Sequence, residues 1–242
     1  KIDGAKHAWA ILSLLVKRLR QSWPNVKIIF RGDSGFCRHK MLSWCERNEV
    51  NYIVGLAKNK RLNTQSQKLQ QQAEDQFQKT GNKQRLFSEL RYAAKSWNRK
   101  RRVIAKAEHT TKGSNPRYIV TSLDDDPQEL YDKLYCARGD MENRIKEQQL
   151  DLFADRTSCY QWWANQFRLL LASLAYILLE TIRRVALPGT EMAKAQCNTI
   201  RLKLLKVGGV IIKNTRRIRF LLSSAYPYQK LFQNVTKKLD ST

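Results

Sequence analysis

Two carboxylates stand where acidic groups can do chemistry, Asp33 and Glu142. Asp33 follows a short, nearly continuous apolar run at residues 26–30 and sits within Arg31-Gly32-Asp33-Ser34-Gly35-Phe36. Such a run suits a parallel strand covered on both faces. In open α/β sheets, ligands bind beyond the carboxyl ends of the strands. Gly32 and Gly35 let the backbone turn there and leave room for a substrate. An ordinary βα loop closed by an Asx-turn has the same appearance. Glu142 lies in residues 126–152, which read as a helix with Asp126 as N-cap, Pro127 at its first position and Glu129 in its first turn. At 100° per residue, Leu134, Met141, Ile145 and Leu152 fall within about 20° of one line, a core-facing stripe. Tyr135, Arg138, Glu142, Lys146 and Gln149 border that stripe, while Asp140, Asn143 and Glu147 point away. The same spacing also suits an i, i+4 ion pair, Arg138 with Glu142 or Glu142 with Lys146.

Carboxylates gathered at one sheet edge repel unless a cation holds them. Mg²⁺ takes oxygen ligands, often one or two carboxylates with substrate phosphates. Two such ions about 4 Å apart clamp the attacking and leaving oxygens of a phosphodiester displacement. Composition points to the same substrate class. There are 45 Lys+Arg against 21 Asp+Glu, a net charge of +24, so a polyanion is the expected partner and nucleic acid the first candidate. A solvated basic surface is the alternative. The cations are densest at Arg99-Lys100-Arg101-Arg102 and from Arg216 to Arg219. Lys95 and Arg99 to Arg102 crowd one hairpin with Trp97 at its tip, a pattern that could clamp backbone and stack on a base or simply be solvated.

Hydrophobic content of 42% allows a packed core. Cys37, Cys45, Cys136, Cys159 and Cys197 form no CxxC pair and read as reduced thiols of a cytoplasmic protein. His7, His39 and His109 are too dispersed for zinc. The first residues form no signal peptide, and the apolar run at residues 169–179, bounded by Arg168 and Glu180, is too short to span a bilayer.

The elements that must position the carboxylates follow from periodicity. Residues 5–22 read as a helix with Asp3 as N-cap, residues 38–48 as a helix and residues 52–57 as a second buried strand. Strand, helix and strand make a βαβ unit that sets Lys58 and Lys60 on the edge of Asp33. Residues 61–80 form a polar, Gln-rich helix, and residues 85–94, 102–110 and 117–123 a β-meander. Residues 158–185 read as a helix apolar almost all round, hence buried, and residues 190–205 as another helix. Residues 207–213 and 217–222 form a hairpin around Asn214, and residues 227–239 a last amphipathic helix. The expected fold is α/β, divided as a first core part (1–59), an inserted β-rich subdomain (60–123), a second core part with the glutamate helix and the buried helix (124–186), and a basic, helical C-terminal extension (187–242).

With these residues in order, the chain resembles DDE transposases of bacterial insertion sequences, the cut-and-paste group with a ribonuclease-H-like core. Ile28 to Phe36 matches that family's strand and second catalytic Asp; residues 60–123 match its β-rich insertion; Tyr135, Arg138 and Glu142 match its Y-x2-R-x3-E helix motif. The motif's lysine slot holds Gln149, with Lys146 about one turn earlier. The resemblance implies that Asp33 and Glu142 are catalytic and bind Mg²⁺ or Mn²⁺, and that Tyr135, Arg138 and Lys146 hold phosphates. It implies cleavage at transposon ends in double-stranded DNA, strand transfer into target DNA, and a homodimer in a synaptic complex. The family's first Asp and its strands have no counterpart before residue 5, so the chain resembles the C-terminal portion of a transposase with a partial core. The expectation for the chain by itself is DNA binding without cutting; a non-catalytic DNA-binding remnant is the alternative function.

Overall fold

A computed structural model describes residues 5–240. Asp3, expected as an N-cap, lies outside the described residues. The chain forms two compact units, Lys1–Gly139 and Asp140–Thr242.

The first unit is built on one mixed sheet. α1 (Ala8–Ser22) leads into β1 (Ile29–Gly32), and α2 (His39–Arg47) crosses to β2 (Asn51–Leu56), which pairs parallel with β1. α3 (Lys60–Gln65) and α4 (Gln67–Thr80) follow, then β3 (Gln84–Tyr92), β4 (Arg101–Thr110), the short β5 (Gly113–Ser114) and β6 (Arg117–Thr121). The sheet order is β1-β2-β6-β4-β3, with β5 on β4, and every pairing after β1–β2 is antiparallel. Residues 60–123, expected as a subdomain of their own, thus extend the sheet that β1 and β2 begin. The decisive contact is β6 on β2, with Val54 opposite Val120 and Gly55 opposite Ile119.

Strand alternation sends side chains to two covered faces. Tyr52, Val54, Val103, Ala105, Tyr118 and Val120 pack with Leu42, Cys45 and Leu62 from the helices. Ile53, Ile104 and Ile119 point the other way, onto Leu130 and Tyr131. Burial on both faces explains why the central strands are almost wholly apolar. β1 departs from the expectation of a covered central strand. It pairs only with β2 among the described residues, and Val26 and Ile29 are 38% and 41% exposed.

Leu130 and Tyr131 belong to a helical segment that changes type along its length. α5 (Pro127–Glu129) is capped by Asp126, whose carboxylate accepts from the Gln128 and Glu129 amides at 2.9 and 3.0 Å. It passes into wider π-type turns at Leu130–Tyr135 and a tight 3₁₀ turn at Cys136–Arg138. A wheel of constant pitch therefore loses phase along residues 126–152.

The second unit takes up α6 (Gly139–Lys146), with π-type turns at Glu147–Asp151. Met141 and Ile145, expected on the core stripe, are 60% and 45% exposed, whereas Glu147, expected to point away, is 5% exposed. Glu147 accepts from Arg183 at 2.5 Å, from Arg144 at 2.8 Å and from the Cys197 amide at 3.0 Å. Asp151 accepts from the Asn198 amide at 3.0 Å, so two carboxylates satisfy the amino end of α8 (Cys197–Thr199). The unit's core joins Leu179, Leu187, Ile200, Leu204 and Val235. α7 (Trp162–Thr181), expected to be buried all round, buries only Ala172 and Leu179 and leaves Trp162, Trp163 and Phe167 exposed. β7 (Gly209–Lys213) and β8 (Ile218–Leu222) form the expected hairpin, and Asn214 accepts from the Arg216 and Arg217 amides at its turn. α9 (Gln229–Asp240) is the last helix.

Candidate active site

Asp33 emerges at the carboxyl end of β1, as the strand–loop pattern predicts. Its Oδ1 accepts from the Gly35 amide at 2.8 Å and caps a single 3₁₀ turn, Ser34–Phe36. The carboxylate is exposed. β2 ends beside it, and Gly55 is the residue that permits the approach of the next layer. A Cβ built on Gly55 would lie 2.6 Å from the Tyr135 hydroxyl and 2.9 Å from the Ser34 amide nitrogen. The Tyr135 hydroxyl and the Asp33–Ser34 backbone therefore both border Gly55, a position where any side chain would intrude.

The neighbours of Tyr135 hold it there. Its ring packs on Tyr131 at 5.5 Å, and the Arg138 guanidinium lies 5.8 Å from its centroid. Arg31 donates from Nη1 to the Leu134 carbonyl at 3.0 Å, tying β1 to the turn before Tyr135. Burial raises the Tyr135 phenol above its ordinary pKa; Arg138 opposes this and the Asp33 charge adds to it. The phenol is thus an O–H donor at neutral pH. Burial likewise pushes Tyr131 up to about 12.

A pocket of about 260 Å³ opens at this place, lined by Ser34, Lys58, Arg117, Tyr118, Tyr131 and Tyr135 among others. Its two cations come from adjacent strand ends: Lys58 follows β2, and Arg117 begins the antiparallel β6. Arg117 escapes sequence reasoning because only the β2–β6 register puts it there. Periodicity gives both strands but not their pairing.

Three of the expected site residues, Asp33, Tyr135 and Arg138, come together in the first unit. Glu142 and Lys146 are exposed on α6 of the second unit, and Gln149, in the lysine slot, is exposed one turn later. The basic hairpin differs from its expected role. Trp97 is 9% exposed, edge-on to Tyr92 at 5.7 Å and 5.1 Å from the Arg101 guanidinium, so its ring is not free to stack on a base. Arg101 is buried on Glu46 at 2.7 Å and Arg102 pairs with Glu89, while Lys95, Arg99 and Lys100 stay exposed.

The model of the family described as Transposase DDE domain group 1 matches residues 1–242. The chain belongs to that family. No curated protein matches it. Membership makes transposase the functional class and DNA the partner class, and DDE transposases use divalent metal ions. No group of three or more His, Cys, Asp or Glu among the described residues could hold a metal. The Asp33 loop borders the pocket through Ser34, and Asp33 itself offers a single hard carboxylate next to it in sequence. One such donor suits an ion such as Mg²⁺, whose remaining ligands are substrate phosphate and water, better than one needing a full protein cage. No helix of the described residues is long and apolar enough to cross a membrane.

Proposed function

We propose that this DDE transposase cuts double-stranded DNA at transposon ends and joins the freed end to target DNA, as a bacterial insertion-sequence enzyme of the cut-and-paste group. Asp33 and Glu142 are the catalytic carboxylates and would hold Mg²⁺ or Mn²⁺ on a ribonuclease-H-like arrangement. Such an ion, when bound, supplies positive charge against the phosphodiester oxygens. Tyr135, Arg138 and Lys146 bind phosphates: the neutral phenol donates one hydrogen bond, and the guanidinium offers a planar fork to two oxygens. Two copies pair two ends in a synaptic complex, in the bacterial cytoplasm.

The observation that supports this reading best is that the Tyr135 hydroxyl and the Asp33–Ser34 backbone approach the same point on Gly55, with the Arg138 guanidinium 5.8 Å from the Tyr135 ring centroid. In this reading a hydrogen-bond donor to phosphate, a cation and a carboxylate gather at the carboxyl end of the sheet. Positioning and charge carry most of phosphoryl-transfer catalysis.

The test uses supercoiled DNA carrying transposon ends, with Mg²⁺ or Mn²⁺, and compares the chain with Asp33→Asn and Glu142→Gln. Metal-dependent cutting that both substitutions abolish is the result this reading requires, against the expectation from sequence that the chain by itself grips DNA without cutting it. Cutting that survives either substitution refutes the assignment of that carboxylate. Duplex binding without cutting by the unaltered chain identifies it as a DNA-gripping protein instead.

A further inference from the structure

The candidate site leaves the amide-rich stretch at residues 61–80 without a role. α4 packs through Ala73 and through Phe77, whose ring lies 5.0 Å from His109. Gln67, Lys68 and Gln71 are left exposed. At the corner between α3 and α4, the Ser66 hydroxyl donates to the Leu62 carbonyl at 3.0 Å and meets the Tyr118 hydroxyl at 2.7 Å, so the corner is fixed to the sheet. Asn59 caps α3, its side chain accepting from the Leu62 amide at 3.1 Å.

Beside that corner runs a groove of about 530 Å³, lined by Lys58, Lys60, Asn63, Thr64, Gln67 and Gln70 as well as Asn59. Lys58 also lines the pocket beside Ser34 and Tyr135. No carboxylate lines either space. A cationic path thus leaves the Asp33 loop through Arg117, Lys58 and Lys60 and reaches the amides of α3 and α4. The ammonium groups of Lys58 and Lys60 and the Gln67 amide have no hydrogen-bond or ion-pair partner among the described residues, so they are available to a ligand.

We propose that this groove binds the duplex on one side of the bond to be cut, with Lys58 and Lys60 on backbone phosphates and Gln67 facing base edges. The inference rests on the DNA-cleaving reading above and adds where the flanking DNA lies. Lysine ammonium is a compact charge suited to phosphate, and a glutamine amide carries the donor and acceptor that match adenine in the major groove. The absence of lining carboxylates is what a polyanion requires.

The experiment measures binding of the whole chain to a labelled duplex carrying a transposon end and to a scrambled duplex of equal length, over a salt series. Lys58→Ala with Lys60→Ala should flatten the slope of log affinity against log salt by about 1.8, twice the roughly 0.9 per phosphate contact, on both duplexes. Lys79→Ala with Lys112→Ala removes equal charge at exposed positions outside the groove and should change the slope by less than half as much. Gln67→Ala should leave the slope unchanged and weaken binding of the transposon end alone, by about 10-fold. Equal slopes for the two lysine pairs overturn the groove, and a Gln67→Ala effect that is absent or equal on both duplexes overturns base reading. A chain that binds no duplex at any salt overturns the DNA reading itself along with the groove.

Discussion

Gly55→Ala tests the central geometry, because one methyl group falls where the Tyr135 hydroxyl and the Asp33 loop both approach Gly55. Ordinary van der Waals contact for a Cβ begins at 3.4 Å, so at 2.6 Å the Tyr135 hydroxyl is 0.8 Å too close (3.4 minus 2.6). The Ser34 nitrogen at 2.9 Å is 0.5 Å too close (3.4 minus 2.9). Neither strand nor loop yields easily. Gly55 is paired with Ile119 of β6, and the loop is closed by the Gly35 amide on Asp33 and by the Phe36 amide on the Asp33 carbonyl at 3.2 Å. The mobile partner is the Tyr135 side chain, which must swing off the pocket. Overpacking of this kind costs about 1–3 kcal/mol. At about 4 °C per kcal/mol for a domain of this size, the melting temperature should fall by about 4–12 °C. Under the proposed phosphate-binding role of Tyr135, a displacement near 1 Å should also lower any cutting about 100-fold. The decisive assay is a double-mutant cycle with Tyr135→Phe, read by thermal unfolding. Removing the hydroxyl relieves the tighter contact and leaves the one with Ser34, so the Gly55→Ala penalty should shrink by roughly 1 kcal/mol in the Phe background. An unchanged melting temperature, or an equal penalty in both backgrounds, would show that the Tyr135 hydroxyl does not press on Gly55.

Glu147→Ala should destabilise the chain by about 3–5 kcal/mol in denaturant titration, because it strands buried Arg183 without its main partner; a loss typical of a surface substitution would refute that role. Trp97→Ala should cost about 3–5 kcal/mol of stability yet leave the salt slope of DNA binding unchanged, and a flattened slope would return Trp97 to the DNA. For Glu108, burial acts to raise the carboxyl, but Lys83 at 2.7 Å and Lys106 at 3.1 Å outweigh it and hold the pKa down to about 2 from an ordinary 4.5. A folded pKa below the unfolded one gives stability that is full above about pH 4.5 and is lost as pH falls toward 2, so Glu108→Gln should flatten the acid limb of the stability profile. An acid limb identical to that of the unaltered chain would count against the pairing.

Asp33 was legible because its evidence is local. A β-branched run ending in a glycine-flanked Asp specifies strand, turn and carboxylate within a few residues, and the structure supplies that turn with its Asx hydrogen bond. Tyr135 and Arg138 were legible as a motif, but the approach of Tyr135 to Gly55 beside the Asp33 loop was not. It depends on Gly55, whose lack of a side chain matters only once the β2–β6 register and the helical segment are both in place. Gly55 reads in sequence as one weak position in an otherwise good strand. The same holds for Arg117, placed at the pocket by pairing rather than by pattern.

The misplaced burial of α6 and α7 has a different origin, the assumption that one period and one degree of hydrophobicity decide which face is covered. Along residues 126–151 the helix passes through α, π and 3₁₀ turns, so equal angular steps accumulate error. The error puts Met141 inward and Glu147 outward, the reverse of what is found. Glu147 then escapes notice for a second reason: a buried carboxylate is stable only with its partners, and those partners, Arg183 and the Cys197 amide, are 36 and 50 residues away. Trp97 is the same case with the opposite sign. Its basic neighbours suggest a surface tip, but Glu46 neutralises Arg101 beneath it, and the paired guanidinium becomes a wall of the pocket that encloses the ring. Charge in the sequence therefore reports on the surface only where no opposite charge from another element reaches it. By that criterion Lys58 and Lys60, which no carboxylate reaches, are stronger candidates for DNA contact than the denser cluster at residues 99–102.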